Sequence, residues 1–191
     1  MAKFFGNLHL VLVVGLALAI GVMYCYNADV PASLNSVLHW LHTFFGVLWI
    51  GLLYYLNFVQ VPTMPSVPAE LKKGVTGYIA PKVFFFFRYA ALLTVVFGLW
   101  IAMEQGYGHR ALTFAGATRA ENMIGLGMWL GLIMAFNVWF LIWPAQKKIL
   151  GIVEASDEAK AKAAPIALAA SRTNLLLSLP MLYCMVSANL S

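Results

Sequence analysis

The chain has 191 residues, of which 62% are hydrophobic and only 10% charged. So little charge on a chain this size excludes an ordinary water-soluble domain and points to a protein of the lipid bilayer. The net charge of +5 would suit a nucleic-acid partner. The lysines, however, fall between apolar segments, where membrane orientation and anionic lipid account for them, so no nucleic acid is expected.

Five apolar segments follow one another: Leu8–Tyr26, Val37–Val61, Val83–Met103, Asn122–Trp143 and Thr173–Leu190. A hydrocarbon core of about 30 Å needs about 20 helical residues. Each segment is near that length, and backbone at that depth must satisfy itself within helices. The expected fold is an all-α integral membrane protein, one bundle of five transmembrane helices spanning residues 1–191 as a single domain. The first segment is longer than a signal-peptide core and lacks a clear cleavage site, so it is read as retained. With the N-terminus inside, the cytoplasmic stretches hold Lys3, Lys72, Lys73, Lys82, Lys147, Lys148, Lys160 and Lys162, and the outer loops hold Arg110 and Arg119. This is the positive-inside pattern; it predicts N-in/C-out in a bacterial inner membrane.

Between the segments, residues 27–36 read as a short turn marked by Pro31. The run Val61-Pro62-Thr63-Met64-Pro65-Ser66-Val67-Pro68 reads as a helix breaker, and residues 69–82 as a cytoplasmic loop that is partly an interfacial helix. Residues 105–120 read as an irregular outer loop, and the fourth segment is expected to stop at Pro144. Residues 147–170 read as a separate cytoplasmic helix. Cys25 and Cys184 lie at different depths, which disfavours a disulfide.

Polar groups within membrane helices are costly and default to functional candidates. By depth they form two layers. The outer layer holds His39, His42, Glu104, Glu121 and His109 from the loop. The inner layer holds Asn57, Arg88, Asn137 and Asn174. His39 and His42 stand one turn apart on one helix face, so they cannot clasp a single haem from opposite sides. A haem held here takes one of them, the deeper His42, with His39 near it. Met128, at matching depth on the fourth segment, is the candidate second ligand. The competing reading has each histidine hydrogen-bonded to a neighbouring helix. Arg88 lies about 7 Å inside its segment. It either snorkels to the headgroups or meets Asn137 and Asn57 in an anion-friendly pocket.

The stretch His39-Trp40-Leu41-His42-Thr43-Phe44-Phe45-Gly46-Val47-Leu48-Trp49-Ile50-Gly51 resembles the second helix of the membrane domain of bacterial membrane-bound urate hydroxylase, the urate oxidase N-terminal domain family. Stronger likeness comes at Met134-Ala135-Phe136-Asn137-Val138-Trp139-Phe140-Leu141-Ile142-Trp143-Pro144-Ala145-Gln146-Lys147-Lys148. A third piece runs from Asn174 through Leu177-Ser178-Leu179-Pro180 to Met185-Val186-Ser187. The matching set is His42, Trp49, Arg88, Asn137, Gln146 and Asn174. In that family a cytochrome c domain follows on the outer side. This chain has no Cys-x-x-Cys-His motif and resembles the membrane half alone. It differs from the family at Thr173-Asn174-Leu175, where relatives have His-Asn-Asn, at Ala90 in place of a Glu, and at Asn189 in place of a His.

The resemblance implies a redox protein, an oxidoreductase of urate hydroxylase type, with Arg88, Asn137 and Asn174 as the catalytic candidates. Haem b is the cofactor it suggests, with His42, His39, Trp49 and Met128 about it and His42 on the metal. Electron transfer needs such a cofactor, since no side chain here serves alone. The partner would be a separate periplasmic cytochrome c or a larger membrane complex. Two alternatives stand beside this. One is a non-catalytic membrane subunit of a larger complex. The other is a haem protein like the small membrane protoporphyrinogen oxidases, which also place a histidine early in a helix before Trp and Gly.

Overall fold

A computed structural model describes residues 2–26 and 33–188. Pro31 of the expected turn and Asn189 lie outside the described residues. Every element among them is helical. The chain divides into two compact units, Met1–Val37 and Leu38–Ser191.

The first unit holds α1, Leu8–Tyr26, with the bounds read from sequence. Its mean hydropathy is 2.4 over the most apolar window. The unit boundary falls in the first turn of α2, Leu34–Tyr54. That helix starts about a turn earlier than expected because Ser33 caps it, its Oγ accepting from the Ser36 N–H at 3.2 Å.

The expected breaks between segments are largely absent. α2 continues as a π-helical stretch over Tyr55–Gln60 and then runs through Val61–Thr63 and Met64–Ser66. The prolines at 62 and 65 lie inside this continuous run, and the widened π turn ahead of Pro62 accommodates the ring and the missing N–H. The chain turns only at Val67, which is extended (ψ 127°) as a residue before proline must be. Residues 69–82 form no loop. They are α3, Ala69–Gly74, a π turn at Val75–Ile79, and the start of α4, Ala80–Glu104.

The expected irregular loop contains a short helix, α5 (Gly108–Leu112), between turns at Gly106 (φ 72°) and Phe114 (φ 54°). α6, Arg119–Phe136, is capped by Thr118, whose side chain accepts from the Glu121 N–H at 3.1 Å. It does not stop at Pro144. A second π stretch, Asn137–Ile142, leads into α7, Trp143–Ile149, with Pro144 just past the widened turn. The helix ends where Gly151 adopts φ 71°, the left-handed conformation that glycine takes at no cost. The separate cytoplasmic helix and the fifth segment are one continuous element, α8, Asp157–Ser187, of 31 residues with Pro165 and Pro180 inside it.

Among the described residues, four helical stretches are long and apolar enough to cross a membrane: Leu8–Tyr26, Leu34–Ser66, Ala69–Glu104 and Arg119–Ile149. In the second unit the core is built from Trp49, Leu53 and Leu56 after α2, Phe84, Phe87, Ala90 and Ala91 of α4, Met134, Val138 and Ile142 around the second π stretch, and Ala170 and Met181 of α8. Small residues carry the close approaches, as expected where lipid removes most of the hydrophobic drive between helices. Large apolar side chains such as Phe85, Val96, Trp100, Ile133 and Phe140 remain on the surface. Acyl chains cover such a surface at no cost, whereas water would not. Cys25 is exposed and Cys184 buried, and both are free thiols.

Candidate functional site

The second unit encloses a cavity of about 540 Å³, within the range of small-molecule and cofactor sites. α2 contributes His39, His42 and Trp49; α4 contributes Thr94 and Gly98; α6 contributes Met128; α8 contributes Met181 and Met185. Tyr107, ahead of α5, stands at the same wall. Burial pushes its phenol above the usual range, so it enters the site protonated.

The best-defined feature is His42. Its Nδ1 lies 2.8 Å from the Thr94 carbonyl, which can only accept, so Nδ1 carries the proton. The neutral imidazole then keeps its lone pair on Nε2. Gly98, one turn beyond Thr94, makes room for this. A Cβ there would lie 2.8 Å from Cε1 and 3.0 Å from Nδ1 of His42. The histidine is therefore both a donor to a neighbouring helix and a cavity-lining base. His39 lines the same cavity.

Trp49 is buried, and its indole N–H finds no acceptor. Sealed from solvent, that donor carries a desolvation cost. Thr94 Oγ1 turns back to the Ala90 carbonyl at 2.7 Å, so the threonine offers the cavity mainly its carbonyl.

The rest of the expected outer layer is committed elsewhere. Glu121 clasps Arg110 through two contacts of 2.8 and 3.2 Å and accepts from the Ala117 N–H at 2.8 Å. This carboxylate holds the Arg110 guanidinium above its usual range and ties the loop to the start of α6. Glu104 accepts from the Trp100 indole at 3.3 Å. Neither acid, nor His109, lines the cavity.

The inner layer is divided as well. Asn137 donates to the Asn174 side-chain oxygen at 2.9 Å, and Asn174 donates to the Met134 carbonyl at 2.9 Å. Asn57 donates to the Leu53 carbonyl and to Ser171 Oγ. These amides are buried ties between helices. Arg88 does not join them. Its side chain hydrogen-bonds to neither Asn57 nor Asn137 among the described residues, and its guanidinium carbon sits 3.6 Å from the centroid of the Trp143 ring. A planar cation stacked on an indole is stabilised without a carboxylate. Trp139 completes the setting by donating to the Arg88 carbonyl at 3.2 Å.

Thr94, Gly98, Tyr107, Met181 and Met185 were not singled out by sequence reasoning. A backbone carbonyl leaves no trace in a residue pattern, and methionines in an apolar helix read as packing. Among the described residues no group of three or more His, Cys, Asp or Glu could hold a bare metal ion.

The profile of the family described as urate oxidase N-terminal matches residues 82–191. No curated protein and no solved structure matches the chain. The matched region carries Arg88, Thr94, Gly98, Met128, Asn137, Asn174 and the methionines of α8. The His39-to-Gly51 stretch lies outside it, so His42 meets the family's part of the chain across the cavity. With more than half of its length matched, the chain belongs to the urate oxidase N-terminal family.

Proposed function

We propose that this protein is a membrane redox subunit that holds a haem b in the α2–α4–α6–α8 cavity, with His42 on the iron, and passes electrons to a separate cytochrome c. The single observation that carries the reading is the His42–Thr94 bond. A carbonyl that fixes the proton on one ring nitrogen orients the other and raises its basicity, the usual support for a metal-bound histidine. The cavity's residues fit such a group. The cradle at Gly98 keeps the ring in place, and the walls are largely apolar. Met128, Met181 and Met185 bring thioethers to the cavity walls. A haem b bound there supplies a one-electron carrier whose potential methionine ligation would raise. The protein's own part is to exclude water, fix the imidazole and keep its neutral tautomer.

The orientation proposed with this is five spans, α8 serving as the fifth, with the N-terminus inside and the cavity in the outer half of an inner membrane. The lysine distribution supports it. The decisive experiment is the absorbance spectrum of the purified protein. A Soret band is expected, lost in His42→Ala and only shifted in His39→Ala. A band kept in His42→Ala, or equal loss in both variants, would overturn the assignment.

A second reading, a non-catalytic subunit of a larger complex, is favoured by the state of Asn137 and Asn174. These amides are spent on one another inside the core and are not presented to a substrate. Absence of a Soret band in haem-replete cells would select this reading.

A further inference from the structure

The most specific family-like run, Asn137 to Lys148, does not end at the cavity. Its last two turns face a different feature, a groove of about 350 Å³ between α7 and the start of α8. Leu141, Pro144 and Lys148 line one wall; Ala159, Lys162 and Ile166 line the other. Both sets follow the three-to-four-residue spacing of a single helix face. The floor is close-packed through Ala145, Ala163 and Ala167, small residues that let the helices approach and leave the space above them open.

The two walls run in opposite directions along the chain, and this grades the groove. Leu141 and Ile166 lie at one end, both exposed to the surroundings. Lys148 and Lys162 lie toward the other. No carboxylate lines the groove. Glu158 pairs with Lys162 at 2.6 Å, but its side chain is 77% exposed, and such a surface pair contributes little. Lys148 forms no ion pair among the described residues. A cleft that is apolar at one end, dibasic at the other and placed on a membrane helix matches one kind of molecule in both halves. A free phosphate would use only the lysines, and an apolar partner helix would leave them unpaired.

We propose that the α7–α8 groove binds an anionic phospholipid, its phosphate between Lys148 and Lys162 and an acyl chain along Leu141 and Ile166. Basic pockets between helices at a membrane surface recognise lipid headgroups in this way.

The test uses the full chain in phosphatidylcholine vesicles containing a trace of phosphatidylglycerol with a photoreactive group in its acyl chain. Labelled residues are mapped by peptide mass spectrometry. Labelling is expected at Leu141, Ile166 and their neighbours. Unlabelled phosphatidylglycerol should compete for it; phosphatidylcholine and inorganic phosphate should not. The double variant Lys148→Gln/Lys162→Gln should reduce it about tenfold, since each lysine adds a substantial electrostatic attraction. Ala159→Phe, which fills the groove and keeps both charges, should reduce it as well. Lys147→Gln, beside the groove and facing Trp143, should leave it unchanged. Equal labelling by a phosphatidylcholine analogue, or full labelling in the double variant, would overturn the proposal and reduce the groove to ordinary lipid contact. Displacement by inorganic phosphate would overturn it too.

Discussion

At the scale of single residues, the cavity is defined by a carbonyl and a missing side chain. Thr94 fixes His42 through its backbone, and Gly98 leaves the ring its place. Gly98→Ala puts a methyl group into the imidazole and forces it off the Thr94 carbonyl. The ring is the movable end of a side chain, so the stability cost is about 1 kcal/mol, near the value of one hydrogen bond. The loss of haem should be far larger than this implies. A Soret band of normal size in Gly98→Ala would show that the Thr94 contact does not matter. The Asn137–Asn174 tie behaves differently, as a purely structural pair. Asn174→Leu strands the Asn137 side-chain amide and should cost about 1–2 kcal/mol in a reversible unfolding assay. Asn137→Leu/Asn174→Leu should cost less than the two single changes together, because no stranded partner remains across the pair. Strict additivity would mean that the two amides do not interact. Arg88 shows why depth alone misleads. Its position was read correctly as part-way into a helix. Its partner, Trp143, lies one helical turn or more past Asn137, on a face that rotates as the π stretch inserts its extra residue per turn.

At the scale of elements, two π stretches carry the helices past the prolines at which the sequence reading ended them. Each contains a buried asparagine, Asn57 or Asn137, and each precedes a proline that would otherwise end the helix. A widened turn lets the chain pass Pro62 and Pro144 without a break. For this reason the expected stop at Pro144 and the expected break at Val61 are absent. The prolines were correctly noticed, but the helical register that accommodates them is a matter of packing. α5 is seated on α6 at Gly125, where a Cβ would run into the Ala111 carbonyl, and Trp129 donates to the Leu112 carbonyl at 2.9 Å. Gly125→Ala confronts backbone with backbone and should cost about 1–3 kcal/mol. It should also increase proteolysis in residues 105–118. Gly51→Ala, with nothing within 4 Å of its added methyl, should be neutral or slightly stabilising. Equal behaviour of the two variants would refute the close seat of α5.

At the scale of the whole molecule, charge and hydropathy act before any contact does. In the proposed orientation, Lys3 and seven lysines between the apolar segments stand on one side against two loop arginines on the other. Periplasmic reporters fused after Ser191 should be active and cytoplasmic ones silent; the reverse would invert the layers and move the cavity to the inner half. By itself the sequence determined that the protein is helical, that it is built for lipid and that His42 is the residue to watch. Those properties follow from composition, segment length and the cost of burying a polar group. The tertiary structure alone decided that His42 leans on Thr94, that the methionines of α8 reach the same cavity, that Asn137 and Asn174 spend their amides on each other, and that Arg88 stacks on Trp143. Each of these depends on how helices distant in sequence are rotated against one another. In a chain of nearly uniform hydrophobicity, the residue pattern carries little record of that rotation.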